Sequence, residues 1–432
     1  MMAPTSLNDM TGIAEQLERR RTAAAAAWDL KDEIVLVGAG EPVPYPGRAD
    51  RTYPFRSHSE YLYLTDRERP RGVLAFDPHE GWVDFVAPVT PEERLWEGAP
   101  DEQEGVPLPE LAGWVARRDG RRAAWLGAPP AAATRDAQLE QRVRETLDVI
   151  RRPKDPVELE RMRAAERATA AGFAALVEHI EPGRTERELQ IELEAAFFRG
   201  GADALAFDTI VAGGANSAVL HFPPTQRVLE LGDLVLVDAG GEYAGYASDV
   251  TRTYPAGDAL TPEQQELHAL VLDANRAAQE RCTPGTEFTD VHWTAARVIA
   301  EGLRDIGLLK GDVDTLVERR TVSLFFPHGV GHMVGLGIRD AGGPAPGRTP
   351  PDDFPRLRAD LPLEPGFVIT IEPGVYFVPA LLQDRERRAH HRDAVDWDRA
   401  ERMLGFGGIR IEDNVHVTAD GPVSLTQDIP TL

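Results

Sequence analysis

Cysteine is nearly absent. Of 432 residues only Cys282 carries a thiol, which excludes an intramolecular disulfide framework and any cysteine-built zinc or iron–sulfur site. Cys282 closes an amphipathic helical stretch and reads as buried and inert. No window approaches the ~20 apolar residues that a membrane span needs. At the N-terminus the apolar run Ala23–Trp28 is too short for a secretory core, and Asp29 follows it directly, so a cytoplasmic location is expected. Positive charge is scarce as well: 47 Lys and Arg face 71 Asp and Glu, a formal net charge of −24. Such a surface repels phosphate backbones, so neither nucleic acid nor an anionic membrane is an expected partner, and solubility alone accounts for the acidity. Tandem repeats and low-complexity tracts are missing too. What remains is an ordinary globular mixture, 42% hydrophobic and 27% charged. At about 150 residues per domain it is long enough for two or three domains.

Two rhythms divide the chain. From Glu33 to about Pro130, short apolar segments alternate with turns: EIVLVGAG (Glu33–Gly40), YLYLTD (Tyr61–Asp66), GVLAFDP (Gly72–Pro78), WVDFVAPV (Trp82–Val89) and AAWLGAP (Ala123–Pro129). Read as strands, with helical patterns between Pro91 and Arg118, they make an α/β domain. Pro129–Ala133 reads as a turn before a last helix ending near Ile150. The run Arg151–Pro156 then breaks the pattern and places a boundary between residues 1–150 and 151–432. Beyond it, Asp155 with Glu158 forms a capping-box signature for a helix reaching about His179. Thr185 with Glu188 starts a second helix, ended by Gly200–Gly201. Thr261–Pro262 with Gln264 starts a third, and a fourth begins near Thr289. Interspersed strands, Leu234–Gly241, Asp249–Pro255, Phe367–Phe377 and Ile409–Thr418, make this half α+β.

Acids stand in those strands where apolar residues belong. Asp238 ends the run Leu234–Val237, and Asp249 opens the next strand eleven positions later, a hairpin span that returns it beside Asp238. Glu372 follows Ile369–Ile371, and Glu412 follows Ile411. Since Ile409 and Ile411 share one strand face, Arg410 and Glu412 point to the other. Acids at such depth must be neutralised, hydrogen-bonded or bound to cations. Four meeting without compensation would repel severely, and two divalent cations would cancel their charge. An imidazole is at hand in PHGVGH (Pro327–His332), whose glycines allow close backbone approach. Carboxylates suit manganese or magnesium, and an added histidine shifts the choice toward manganese, cobalt, iron or zinc.

Taken together, the segments VDAGGEYAGYASDVTRTYP, PHGVGHMVGLGIRDAGG, ITIEPGVYF and GGIRIEDNVHVT resemble the pita-bread metallopeptidases, and among them the Xaa-Pro peptidases, prolidase and aminopeptidase P. YPFRSHSEYLYLTD and RLWEG extend a weaker similarity into the first half. The resemblance implies an α/β creatinase-like N-terminal domain over residues 1–150. A pita-bread (creatinase/aminopeptidase-like) α+β catalytic domain would follow over residues 151–432. It implies two divalent ions, manganese first with zinc, cobalt or iron as alternatives, held by Asp238, Asp249, His332, Glu372 and Glu412, with Asp249 and Glu412 bridging. A bridging hydroxide would attack the imide before proline, Glu372 would pass a proton to the leaving nitrogen, and His221 and His328 would position substrate and assist proton movement. Arg410 is expected to bind substrate. A homodimer or homotetramer is expected.

One position departs from the family pattern, which has histidine before Asp340 where this chain has Arg339. An arginine cannot relay protons but can hold a carboxylate or oxyanion. Arg358, fourteen residues before Glu372, resembles the arginine with which prolidases take a dipeptide's carboxylate, and the insert Val378–Phe406 is also prolidase-like. The His390–His391 run within that insert reads as solvated surface. The expectation is therefore a dipeptidase, with aminopeptidase P acting on longer peptides as the alternative. A non-catalytic peptide-binding module on the same fold is the rival from another class, set against it by the five filled ligand positions.

Overall fold

The computed structural model describes residues 7–98, 104–128, 135–257, 259–349 and 357–432. Contacts divide the chain into two compact units, Met1–Arg151 and Arg152–Leu432. Among the described residues, no helix is long and apolar enough to cross a membrane.

In the first unit, α1 (Leu7–Trp28) precedes β1 (Ile34–Ala39), α2 (Ser59–Thr65), β2 (Val73–Asp77), β3 (Gly81–Val86), α3 (Pro91–Glu97), β4 (Val106–Pro107), α4 (Glu110–Ala116), β5 (Ala123–Ala128) and α5 (Ala137–Arg151). The sheet order is β4-β3-β2-β1-β5, with β1 antiparallel to β2 and parallel to β5. Ile34, Leu36, Val73, Phe85 and Trp114 fill its core. Two expectations change here. Tyr61–Asp66, read as a strand, lies on helix α2, whose residues Glu60 to Thr65 are all buried. A short apolar run buried all round shows neither period, and its two leucines favour helix as readily as strand. Helix α1 has no counterpart in the strand-and-turn reading. The expected turn at Pro129–Ala133 falls outside the described residues.

The second unit opens with α6 (Pro156–Val177) and α7 (Glu186–Arg199), whose capping boxes are Asp155 with Glu158 and Thr185 with Glu188. Next come β6 (Ile210–Gly213), β7 (Leu234–Ala239), β8 (Val250–Pro255), α8 (Pro262–Glu280) and α9 (Phe288–Asp305). The chain closes through β9 (Val368–Ile371), β10 (Gly374–Tyr376), β11 (Gly408–Arg410), β12 (Asp413–Thr418) and β13 (Gly421–Ser424). Strands β8-β7-β6 form one sheet, β9-β12-β13 a second and β10-β11 a third. Val235, Val237 and Ala239 of β7 pack with Phe173, Leu193 and Phe197 of α6 and α7. The apolar faces of α8 and α9 pack with Ile369, Ile371, Ile409 and Ile411. Cys282 is fully buried in that core.

Phe367–Phe377 and Ile409–Thr418, each expected as one strand, are each broken in two. The breaks fall at Glu372–Pro373 and at Ile411–Glu412, and the halves join different sheets. Proline has no N–H to continue a ladder, and both glutamates leave regular pairing at the point where their side chains face the interior.

Candidate active site

Strand alternation places the first acid. With Val235, Val237 and Ala239 turned to the helices, Asp238 shares the opposite face of β7 with Leu236. The chain returns through a hairpin that requires glycine, because a Cβ at Gly240 would collide with the Ser248 carbonyl, and Asp249 follows. Gly331 is constrained likewise: a Cβ there would strike the Thr370 carbonyl. This close approach lets the His332 segment lie along β9, with Thr370 N–H donating to the His332 carbonyl at 2.8 Å. At the two strand breaks, Glu372 N–H donates to the Val330 carbonyl at 2.7 Å and Glu412 N–H to the Thr251 carbonyl at 3.0 Å.

These supports bring the separated groups together. One ligand atom each from Asp249, His332 and Glu412, all buried, lies within 4.8 Å of the others. His332 Nε2 is 3.3 Å from Asp249 Oδ2 and 4.0 Å from Glu372 Oε1. Asp238, Asp249, His332, Glu372 and Glu412 line one cavity of about 700 Å³, together with His221 and Arg339. A smaller cavity of about 270 Å³ shares Asp238, Glu372, His221 and Arg339 and adds His328, Arg358 and Arg410. Arg339 and Arg358 are exposed at its edge. Arg410 differs, being 3% exposed. It donates to Asp238 Oδ2 at 2.6 Å, Tyr376 Oη at 2.9 Å and Thr251 Oγ1 at 3.1 Å.

Electrostatics distinguish this cluster from an ordinary salt-bridge network. Burial, then repulsion from Asp238 and Glu372, pushes the Asp249 carboxyl well above its usual range. Burial, then Asp249, does the same to Glu412. Glu372 is raised by burial against the opposing pull of His332 and Arg410. Burial lowers His332 and, with Arg410, takes His328 down to about 3. The acids are thus short of positive charge.

The donor set suits divalent cations on two further counts. Asp238 Oδ1 is buried with no hydrogen-bond partner among the described residues. His332 Nδ1 lies 3.0 Å from the Met333 carbonyl, which places the proton on Nδ1 and leaves the Nε2 lone pair facing Asp249, as a ligating imidazole requires.

Several participants carry no signal of their own in the sequence. Tyr376 links Arg410 to His328, whose Nε2 is 3.0 Å from the phenol oxygen. Thr251 Oγ1 donates to Glu412 Oε2 at 2.7 Å. Buried Lys154 reaches Asp340 at 2.9 Å, and Asp340 Oδ2 in turn accepts from Leu336 N–H at 3.1 Å, closing the turn that carries Arg339. A polar side chain placed four residues after Glu372, or two after Asp249, was the available hint for Tyr376 and Thr251. The expected surface position of His391 is corrected: it is 6% exposed and bonded to Thr321 Oγ1 at 3.1 Å. The contact spans 70 residues, beyond the reach of a local charge pattern.

Residues 160–419 match metallopeptidase family M24, and residues 17–107 match the aminopeptidase P N-terminal domain. A Haemophilus influenzae protein named Xaa-Pro aminopeptidase is 32% identical over 438 residues, covering 96% of this chain and 95% of that one. A probable Xaa-Pro aminopeptidase of Botryotinia fuckeliana is 32% identical, covering 87% of this chain and 86% of the relative. Among solved structures, the Pseudomonas aeruginosa aminopeptidase PepP superposes with a TM-score of 0.78 at 30% identity, covering 97% of this chain and 96% of that one. Zinc-substituted E. coli aminopeptidase P in complex with product gives a TM-score of 0.79 at 27% identity, with the same coverage of both chains. These relatives carry aminopeptidase names, so the dipeptide preference expected from Arg358 and the Val378–Phe406 insert finds no support among them. With the carboxylate–histidine centre carried by its second unit and the family match spanning that unit, the chain belongs to the pita-bread metallopeptidases of family M24.

Proposed function

We propose that the protein is an Xaa-Pro aminopeptidase, removing the residue before proline from peptides longer than two residues. The observation that carries this reading is the convergence of Asp238, Asp249, His332, Glu372 and Glu412 on one cavity, in a chain matched almost end to end by proteins of that name. Those five side chains would hold two divalent cations, manganese in the first instance, with zinc, cobalt or iron acceptable to the same donors. When bound, the ions supply Lewis acidity for the scissile carbonyl and the attacking water.

The chain's own groups do the rest. Glu372, on the wall of both cavities, would take the proton given up by the attacking water and deliver it to the leaving proline nitrogen. His328 stays neutral: its Nδ1 lies 2.8 Å from the Gly329 carbonyl and donates to it, while Nε2 accepts from Tyr376. It therefore enters the wall of the smaller cavity as an uncharged ring fixed between Gly329 and Tyr376. His221, common to the walls of both cavities, aligns the peptide backbone. Arg410, with Asp238, Tyr376 and Thr251 on its guanidinium, positions Asp238. Arg339 and Arg358, exposed at the cavity edge, attract substrate carbonyl or carboxylate oxygens. Bonds before proline offer no N–H on the proline side, so selectivity depends on the shape of the smaller cavity. A homodimer or homotetramer belongs to the same reading, and sedimentation equilibrium tests it.

The deciding experiment compares Ala-Pro with a longer peptide of the same N-terminus, before and after chelation and manganese return. Faster turnover of the longer peptide, abolished by chelation and restored by Mn²⁺, is the expected result. Preference for Ala-Pro reinstates the dipeptidase, and turnover indifferent to chelator sinks the metal-dependent reading.

A further inference from the structure

Glu166, on α6, belongs to neither cavity and is 4% exposed. Its two oxygens face two different segments: Oε2 accepts from Ser248 Oγ at 2.7 Å and Oε1 from Asn414 Nδ2 at 2.5 Å. Ser248 immediately precedes Asp249, and Asn414 lies two residues beyond Glu412. One carboxylate on a helix thus ties together the segments that present Asp249 and Glu412, two of the five proposed ligands. No ion pair compensates it among the described residues, both partners being neutral.

The helix supplies its own internal comparison. Glu158, Glu166 and Thr169 lie on one face of α6, all against the 241–248 hairpin. Tyr246 Oη donates to Glu158 at 3.2 Å and Gly241 N–H donates to Thr169 Oγ1 at 2.9 Å. Glu166 also reaches across to Asn414 of β12.

We infer that Glu166 is a positioning residue of the metal centre, setting the separation of Asp249 and Glu412 through Ser248 and Asn414. The inference rests on the metal-dependent reading above. It predicts that Glu166 governs metal affinity, whereas Thr169 on the same face governs stability alone.

The test is calorimetric titration of the metal-free full chain with Mn²⁺, alongside thermal unfolding of each metal-free variant. Glu166→Ala is expected to weaken Mn²⁺ binding about 10–100-fold, as removal of groups that orient ligands does. Glu166→Gln retains an acceptor for Asn414 and a donor for Ser248, and stays within about threefold of the unaltered chain. Thr169→Val lowers the unfolding temperature and leaves Mn²⁺ affinity unchanged. Ser248→Ala cuts the same link from its other end and weakens binding about fivefold, which keeps the test informative where Glu166→Ala does not fold. Undiminished Mn²⁺ affinity in Glu166→Ala or Ser248→Ala overturns the inference, as does an equal loss in Thr169→Val. An unaltered chain that binds no Mn²⁺ is a different failure: it removes the metal reading itself.

Discussion

Asp77 in the first unit and the Asp249–Glu412 pair in the second are all buried carboxylates, yet their surroundings are opposite. Asp77, with 0% exposure, meets Arg118 and accepts from Arg121 at 2.9 and 3.1 Å and from His79 N–H at 2.9 Å. Burial alone would raise its pKa, but Arg121, the His79 N–H and Arg118 outweigh burial and hold the carboxyl well below its ordinary range. Arg118 lies 3.6 Å above the Trp114 ring, which anchors the cation in turn. In the second unit the Arg410 guanidinium lies among several acids at once, and Asp249 and Glu412 are pushed up rather than down. A buried acid supplied with cations by its own fold is structural; a buried cluster left short of cations is arranged for positive charge that comes from outside.

The strongest way to break this contrast is Asp249→Asn, which keeps the shape and removes the charge. Peptide hydrolysis is expected to fall about 10⁴-fold, or about 5 kcal/mol of lost transition-state stabilisation, with bound manganese reduced on metal analysis. Retained turnover and stoichiometry would show that the cluster is no metal centre.

Asp77→Ala probes the other side. Stranding Arg118 and Arg121 is expected to cost about 3 kcal/mol in denaturant unfolding, with manganese stoichiometry unchanged; a stability change below about 0.5 kcal/mol would make the pairing ornamental.

Acid sharpens the comparison because the two signs of pKa shift act in opposite directions. Asp77 is depressed, so its contribution is present above about pH 4, the unfolded value, and is lost as pH falls through the folded one. Asp249 and Glu412 are raised, so in the chelated protein their contribution is present below about pH 4 and lost as pH rises through their folded values. Metal relieves that loss. The gap in unfolding temperature between metal-loaded and chelated protein is therefore expected to widen from about pH 4 to 7, by the equivalent of about 1–2 kcal/mol. A constant or narrowing gap contradicts the assignment of uncompensated acids to the second unit.

Arg339→Ala should have the smallest effect. Its exposed guanidinium is screened by water, so KM is expected to rise about two- to fivefold with kcat little changed. A collapse of kcat would place Arg339 in the chemistry.

The site was more legible in the sequence than parts of the scaffold. Asp238, Asp249, Glu372 and Glu412 stand out because an acid interrupting an apolar run is visible without knowing its neighbours, and the period of two assigns Arg410 and Glu412 to one face. Capping signatures announced α6, α7 and α8 for the same local reason. By contrast α2 was hidden by burial on every side, and the breaks within Phe367–Phe377 and Ile409–Thr418 depend on which sheet each half can reach. Tyr376, Thr251 and Glu166 declare nothing by themselves. Thr251 meets Glu412 across 161 residues, and Glu166 meets Asn414 across 248.

By itself, then, the sequence determined which residues are out of place in a core, where the four long helices of the second unit start, and which protein family the motifs resemble. These follow from composition and from spacings of a few residues, which the backbone's own periods translate into faces and caps. Only the tertiary structure decided that the acids meet, that Arg410 lies among them and that a helix carboxylate stands behind them. Coulomb and desolvation energies depend on distances in space, and chain separations of this length leave those distances open until the sheets have packed.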